Sequence, residues 1–189
     1  MLNIAVFVSG NGSNLENILA ANIANCQIKL VVSSNKKAYA LARAANHGID
    51  TMILDNEFDE SSLLKDLAAR KITLIVLAGF MKILNSSFIE NFNGQIINIH
   101  PSLLPAYGGQ GMYGLKVHEA VLKAGDKYSG ATVHQVTSIV DGGEIIEQIK
   151  VPVFPADTPQ SLQRRIQEDG EKILLPAVIK KMCERSLSK

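Results

Sequence analysis

The sequence predicts an α/β fold: a Rossmann-like, mostly parallel sheet flanked by helices, with an antiparallel C-terminal extension and a long C-terminal helix. Three observations carry this expectation. Short apolar, β-branched runs alternate with helix-patterned stretches up to about His100, which implies parallel strands joined by right-handed crossovers. Beyond His100, two strand-like runs flank an Asp-Gly-Gly turn, and such adjacency favours antiparallel pairing. A helical pattern then runs to the end of the chain.

Taken in order, Asn3–Val8 (NIAVFV) is a short run rich in apolar and β-branched residues, bounded by SGNG, and reads as a buried strand. Ser13–Ala24 carries Leu15, Ile18, Leu19 and Ile23 at helical spacing, with Ser13 as candidate N-cap. Ile28–Val32 is a second strand, Ala38–Ala45 an alanine-rich helix ended by His47-Gly48, and Thr51–Leu54 a third strand. Asp59 caps a helix whose face is Leu63, Leu64 and Leu67. Leu74–Leu77 and Ile96–Ile99 are the fourth and fifth strands. Pro101–Gly114 is a loop punctuated by proline and glycine, followed by a short helix at Val117–Ala124. Ala131–Thr137 and Glu144–Val153 are the late strands, and Thr158–Cys183 is the last helix, bent near Pro176.

The 189 residues fit one domain, with residues 1–100 as a parallel half and 101–189 as the extension. Hydrophobic residues make up 47% and charged residues 20%, which argues against general disorder. Nineteen basic and 18 acidic residues give a net charge of +1, no footprint for bulk nucleic-acid binding. Cys26 and Cys183 are far apart and form no CxxC, which fits a reducing cytoplasm. The N-terminal apolar run is too short to span a membrane and has no basic n-region or cleavage site. The expectation is a soluble cytoplasmic protein with no nucleic-acid or membrane partner.

Ser9-Gly10-Asn11-Gly12-Ser13-Asn14 lies between the first strand and the first helix, where open α/β sheets bind ligands. A helix N-terminus offers amide donors and partial positive charge, and glycines let the backbone approach a phosphate. Gly12, Ser13 and Asn14 are therefore candidate phosphate binders. Walker A needs a lysine that is missing here. The GxGxxG fingerprint fails at Leu15, and the second strand ends in Ser33-Ser34-Asn35 without a ribose-binding carboxylate. A smaller phosphorylated substrate is preferred to a dinucleotide.

Asn98-Ile99-His100 ends the fifth strand, and alternation puts Asn98 and His100 on one face. An amide and an imidazole side by side could hold an oxyanion and shuttle a proton. Asp141, in the Asp141-Gly142-Gly143 turn, is the carboxylate that such a histidine lacks; by itself it reads as an ordinary hairpin turn. His134 reads as a structural strand histidine, and His118 carries no special signal. No HExxH or cysteine ligand spacing is present, so no metal is expected. Met81, Ile83 and Leu84, around Lys82, either line an apolar ligand slot or belong to the core.

SGNGSNL, LAGFMKIL, INIHPSLLP and GATVHQVTSIVDGGEII, in this order and spacing, resemble the folate-dependent formyltransferases over nearly the whole chain. The resemblance implies 10-formyltetrahydrofolate as cosubstrate and, from SGNGSNL, glycinamide ribonucleotide of purine biosynthesis as acceptor. It implies a catalytic trio of Asn98, His100 and Asp141 and a substrate-phosphate loop at Gly12, Ser13 and Asn14. Glu171 would hold the ribose hydroxyls. Met81, Lys82, Ile83, Leu84 and Val140 would line the folate pocket, with Asn98 and Asp141 at its reacting end, which makes residues 101–189 the folate-side half. In the implied mechanism Asn98 and a protonated His100 stabilise the oxyanion, and Asp141 raises the His100 pKa. The protein would act as a monomer or homodimer. The alternatives are a formyltetrahydrofolate hydrolase or a tRNA formyltransferase-like enzyme, each of which carries a further domain for which this chain has no room. Ser61 and Lys82 stand where the family often has arginine, and the loop Ala106–Leu115 is longer than usual.

Overall fold

A computed structural model describes residues 1–54 and 59–187. The chain forms two units, one of residues 1–98 with the segment from Ile179 onward, the other of Ile99–Val178. In the first unit, β1 (Leu2–Val8), α1 (Ser13–Ala20), β2 (Cys26–Ser33), α2 (Tyr39–Asn46), β3 (Asp50–Ile53), α3 (Glu60–Ala69), β4 (Leu74–Leu77) and α4 (Ser86–Asn91) lead to β5 (Gln95–His100), which carries the chain across the unit boundary. The strands pair in parallel in the order β3-β2-β1-β4-β5. Central strands covered on both faces must be apolar throughout rather than alternating. Ile4 to Val8 are accordingly fully buried, as is the LIVL run of β4.

The second unit contains α5 (Leu115–Ala124), β6 (Tyr128–Gln135), β7 (Ile145–Pro152) and α6 (Pro159–Ile166). β6 and β7 are antiparallel from Tyr128↔Pro152 to His134↔Ile145, with a register shift between Val133 and His134. Thr158 opens α6 with a capping box shared with Ser161, and Pro159 stands at the first helical position. A π turn (Gln167–Glu171) follows, then α7 (Lys172–Leu187).

The expected mixed α/β architecture is present, with five parallel strands and an antiparallel pair. The differences are local. α1 stops at Ala20 rather than Ala24, because Asn22 and Asn25 take positive φ and turn the chain into β2. Its N-cap is Gly12 in the left-handed region, not Ser13, and it makes no side-chain cap. Asp59 does cap α3, accepting from the Ser61 amide at 2.9 Å. The last helical stretch is interrupted by the π turn, and Pro176 lies inside α7. Pro176 has no N–H for the Lys172 carbonyl, and its ring crowds that carbonyl; the widened turn ends immediately before it.

The loop after β5 is fixed from within its own unit by one hydroxyl. Thr132 Oγ1 donates to the Ser102 carbonyl at 2.6 Å and accepts from the Leu104 amide at 3.1 Å and Gln148 Nε2 at 2.9 Å. Gln148 Nε2 also donates to the Leu104 carbonyl at 2.9 Å. Buried backbone groups need such partners, and this set holds the Pro101–Leu104 stretch on the β6–β7 hairpin.

Candidate active site

In the first unit, the chain leaves β1 through Ser9 and turns at Gly12 with φ 77° and ψ 31°. A side chain at Gly12 would put its Cβ 2.6 Å from the Ala40 Cβ, so the first turn of α2 closes directly against this turn. The Ala40 amide donates to the Gly10 carbonyl at 3.2 Å and holds the two together. The first helical bond of α1 runs from the Glu16 amide to the Gly12 carbonyl, and the amides of Gly12, Ser13 and Asn14 precede it. Ser13 is exposed, while the Asn14 side chain is buried.

Ser9 links this turn to the segment after β4. Its hydroxyl lies 2.6 Å from Ser34 Oγ and accepts from the Met81 amide at 2.8 Å. Met81 and Ile83 are 53% and 67% exposed, which removes them from the core and leaves an apolar surface at the strand ends. Lys82 and Leu84 are half-buried, and Lys82 Nζ donates to the Leu54 carbonyl at 3.0 Å. Asn98 is half-buried near the end of β5.

In the second unit, His100, His134 and Asp141 come together. His100 Nδ1 lies 3.5 Å from Asp141 Oδ2, and His134 Nε2 lies 3.5 Å from Asp141 Oδ1. The other nitrogens face main-chain carbonyls: His100 Nε2 is 2.8 Å from the Tyr107 oxygen, and His134 Nδ1 is 2.8 Å from the Gln135 oxygen. A carbonyl can only accept, so each of these nitrogens carries a hydrogen and donates it. The Asp141 Oδ2 also accepts from the Gly109 amide at 2.9 Å. The long loop therefore touches both His100 and Asp141, through Tyr107 and Gly109. Asp141 itself has φ 54°, and Gly143 packs so closely on the Gln135 carbonyl that a Cβ there would meet it at 1.8 Å.

Burial holds the His100 imidazole below its ordinary value. The Asp141 charge and the Tyr107 carbonyl pull it up without prevailing, and His134 adds to the depression. The Asp141 effect has the expected sign, and desolvation outweighs it. Burial alone would raise the Asp141 carboxyl; hydrogen bonding from His134, the His100 charge and the Gly109 amide bring it below its usual range. Burial thus favours the neutral imidazole, beside a carboxyl group that favours its charged form.

His134 is part of this cluster rather than a bystander. The register shift beside it breaks the strand alternation that would have exposed the relation in the sequence. His118, on α5, is also fully buried, and its Nδ1 has no hydrogen-bond partner among the described residues. Burial and then the nearby His100 charge push it down to about 4. The unfolded chain therefore takes up this proton as pH falls below about 6.5, while the folded chain does not until about pH 4. Folding stability is lost across that window and levels off below it. Urea unfolding at several pH values should show about 3 kcal/mol of this loss missing from His118→Gln; equal pH slopes for variant and parent would refute it.

Glu171 lies buried in the π turn, and Val140 is exposed beside Asp141. Among the described residues, no group of three or more histidine, cysteine or acidic side chains could hold a metal ion, and no helix is long and apolar enough to cross a membrane.

A family profile described as "Formyl transferase" matches residues 2–179. The chain is similar to a phosphoribosylglycinamide formyltransferase of Haemophilus influenzae, with 40% identity over 99% of this chain and 90% of that one. A chloroplastic phosphoribosylglycinamide formyltransferase of Arabidopsis thaliana is 35% identical over 97% of this chain, which spans 66% of that relative. The crystal structure of phosphoribosylglycinamide formyltransferase from Anaplasma phagocytophilum matches 97% of this chain and 88% of its own with a TM-score of 0.89 and 37% identity.

Proposed function

The chain belongs to the formyl transferase family, and from that membership we propose that it transfers the formyl group of 10-formyltetrahydrofolate to the amine of glycinamide ribonucleotide. It is a one-carbon transferase of purine biosynthesis, a phosphoribosylglycinamide formyltransferase, with the folate as cosubstrate. The relatives' shared name favours this reading over a hydrolase or a tRNA formyltransferase-like enzyme. It acts in the cytoplasm on small molecules, as a monomer or homodimer, without nucleic acid or membrane.

The observation that carries the chemistry is the buried His100 facing the Asp141 carboxylate at 3.5 Å. The substrate amine attacks the formyl carbon, a tetrahedral oxyanion forms, and the bond to N10 of the folate then breaks. Asn98 donates to the developing oxyanion, a contribution worth ~10²–10³ in rate for one such donor. The amine must lose a proton and N10 must gain one. His100 Nε2 is committed to the Tyr107 carbonyl, so Nδ1 is the nitrogen that takes up the proton, directly or through water. The separation of 3.5 Å from Asp141 is too long for a strong hydrogen bond, which leaves that lone pair available. As the imidazolium forms, the carboxylate stabilises it without taking the proton, the role a buried aspartate plays in a catalytic triad.

Gly12, Ser13 and Asn14 bind the ribonucleotide phosphate at the start of α1, and Glu171 holds its ribose hydroxyls. Met81, Ile83, Leu84 and Val140 pack on the folate, with Lys82 beside them. The exposure of the apolar Met81, Ile83 and Val140 side chains supports this. An assay with both substrates at neutral pH tests the reading: formyl transfer to the ribonucleotide is expected. Formate release without an acceptor would assign the hydrolase instead.

A further inference from the structure

We propose that Arg43 is a positioning residue for the phosphate turn, orienting the Asn11–Gly12 peptide and cancelling the Glu16 carboxylate. The proposal rests on the reading of Gly12–Asn14 as that turn. Arg43 stands in the last turn of α2, and its side chain reaches back to α1. Its Nε donates to the Asn11 carbonyl at 2.9 Å, and its Nη1 pairs with Glu16 Oε2 at 2.7 Å. The Tyr39 ring, one helical turn earlier, lies 5.0 Å from the guanidinium carbon and braces it.

The first contact sets a direction. A trans peptide is planar, and its C=O and N–H point to opposite sides. With the Asn11 carbonyl fixed toward Arg43, the Gly12 N–H of the same peptide must point away from Arg43, to the other side of the turn. Gly12 cannot rotate freely to compensate. Its conformation is left-handed, and the space a Cβ would need is taken by Ala40, whose amide holds the Gly10 carbonyl. Arg43 thereby fixes the first amide of the group that meets the phosphate.

The second contact sets the charge. Glu16 is the acidic residue of the first turn of α1. A carboxylate there suits an empty helix end but opposes a phosphate dianion arriving at it. The guanidinium on Glu16 neutralises that charge. Its fork serves both jobs at once, one nitrogen on the carbonyl and another on the carboxylate. A lysine has a single nitrogen and cannot hold both partners in this geometry.

The test uses the full chain with Arg43→Ala, Arg43→Lys, Glu16→Gln and the Arg43→Ala/Glu16→Gln double variant. KM is measured for each substrate, and inorganic phosphate is titrated while the amide resonances of residues 12–14 are followed. Arg43→Ala is expected to raise the ribonucleotide KM and weaken phosphate binding about tenfold or more, with the folate KM and kcat little changed. Glu16→Gln alone should change little. The double variant and Arg43→Lys should each recover part of the loss, because the charge is relieved while the peptide stays unfixed. An Arg43→Ala enzyme with unaltered ribonucleotide KM and phosphate affinity would overturn the proposal. So would an equal rise in both KM values together with a fall in kcat, the sign of general loosening. If the parent enzyme transfers no formyl group, the reaction assigned above fails, and the phosphate titration still decides the role of Arg43.

Discussion

Asp141→Asn is expected to lower kcat for formyl transfer about a thousandfold, with both KM values changed far less. The substitution keeps the shape of the side chain and can still accept from the Gly109 amide, so the loop contact survives. What disappears is the charge that stabilises the imidazolium formed on His100 during proton transfer. The pH profile supplies a second readout. Asp141 is one of the influences that raise the His100 pKa against burial, so its neutralisation lowers that pKa further. A base works in its neutral form, and the acidic limb of the rate profile should therefore move to lower pH. A variant with parental kcat, or one whose acidic limb moves upward, would remove Asp141 from this role.

Gly12→Ala should raise the ribonucleotide KM at least about a hundredfold while the folate KM stays close to parental. Two costs combine. A side chain in the left-handed region costs roughly 1–2 kcal/mol. The new methyl group would also meet Ala40 Cβ at 2.6 Å and its Cα at 2.9 Å. The latter is backbone and cannot swing aside, so the turn itself must open, and with it the row of amides at the start of α1. Overpacking of this kind adds about 1–3 kcal/mol. Circular dichroism should show the fold retained; a variant with normal ribonucleotide KM would show that the turn does not bind the phosphate.

The parallel half was legible because its strands are buried on both faces. IAVFV and LIVL are apolar without interruption, and only a central strand asks for that. α4 was missed for a physical reason as well. It has six residues and buries Phe88 alone, too little for a periodic pattern to emerge. The Asn98 and His100 pair could be read from strand alternation, and Asp141 from the absence of any nearer carboxylate. His134 could not. Its link to Asp141 depends on the hairpin folding back through residues 136–144, and the register shift beside it defeats counting by twos. The balance at His100 is not legible, because the sequence shows a possible charge partner but not how deeply the ring is buried. Arg43 was silent for the same kind of reason: its partners, Asn11 and Glu16, lie in a different helix–loop unit from its own.

The π turn at Gln167–Glu171 puts an unusual kind of constraint on this part of the chain. Leu162, Ile166, Gly170 and Leu174 are all buried, four residues apart. In a regular α-helix each such step overshoots a full turn by about 40°, and three steps would carry the stripe about a third of the way round. A turn closed by i→i+5 bonds holds more residues and absorbs part of that drift, so Glu171 enters the buried face along with its neighbours. The position of its carboxylate is thus set by the number of residues between Ile166 and Lys172 more than by which residues they are. Exchanges at Gln167, Glu168 or Asp169, all outside the buried set, leave that number intact. Inserting a residue among them, with no further widening to absorb it, would swing Glu171 through roughly one residue's rotation, about 100°. This segment should therefore be open to substitution during divergence and closed to insertion.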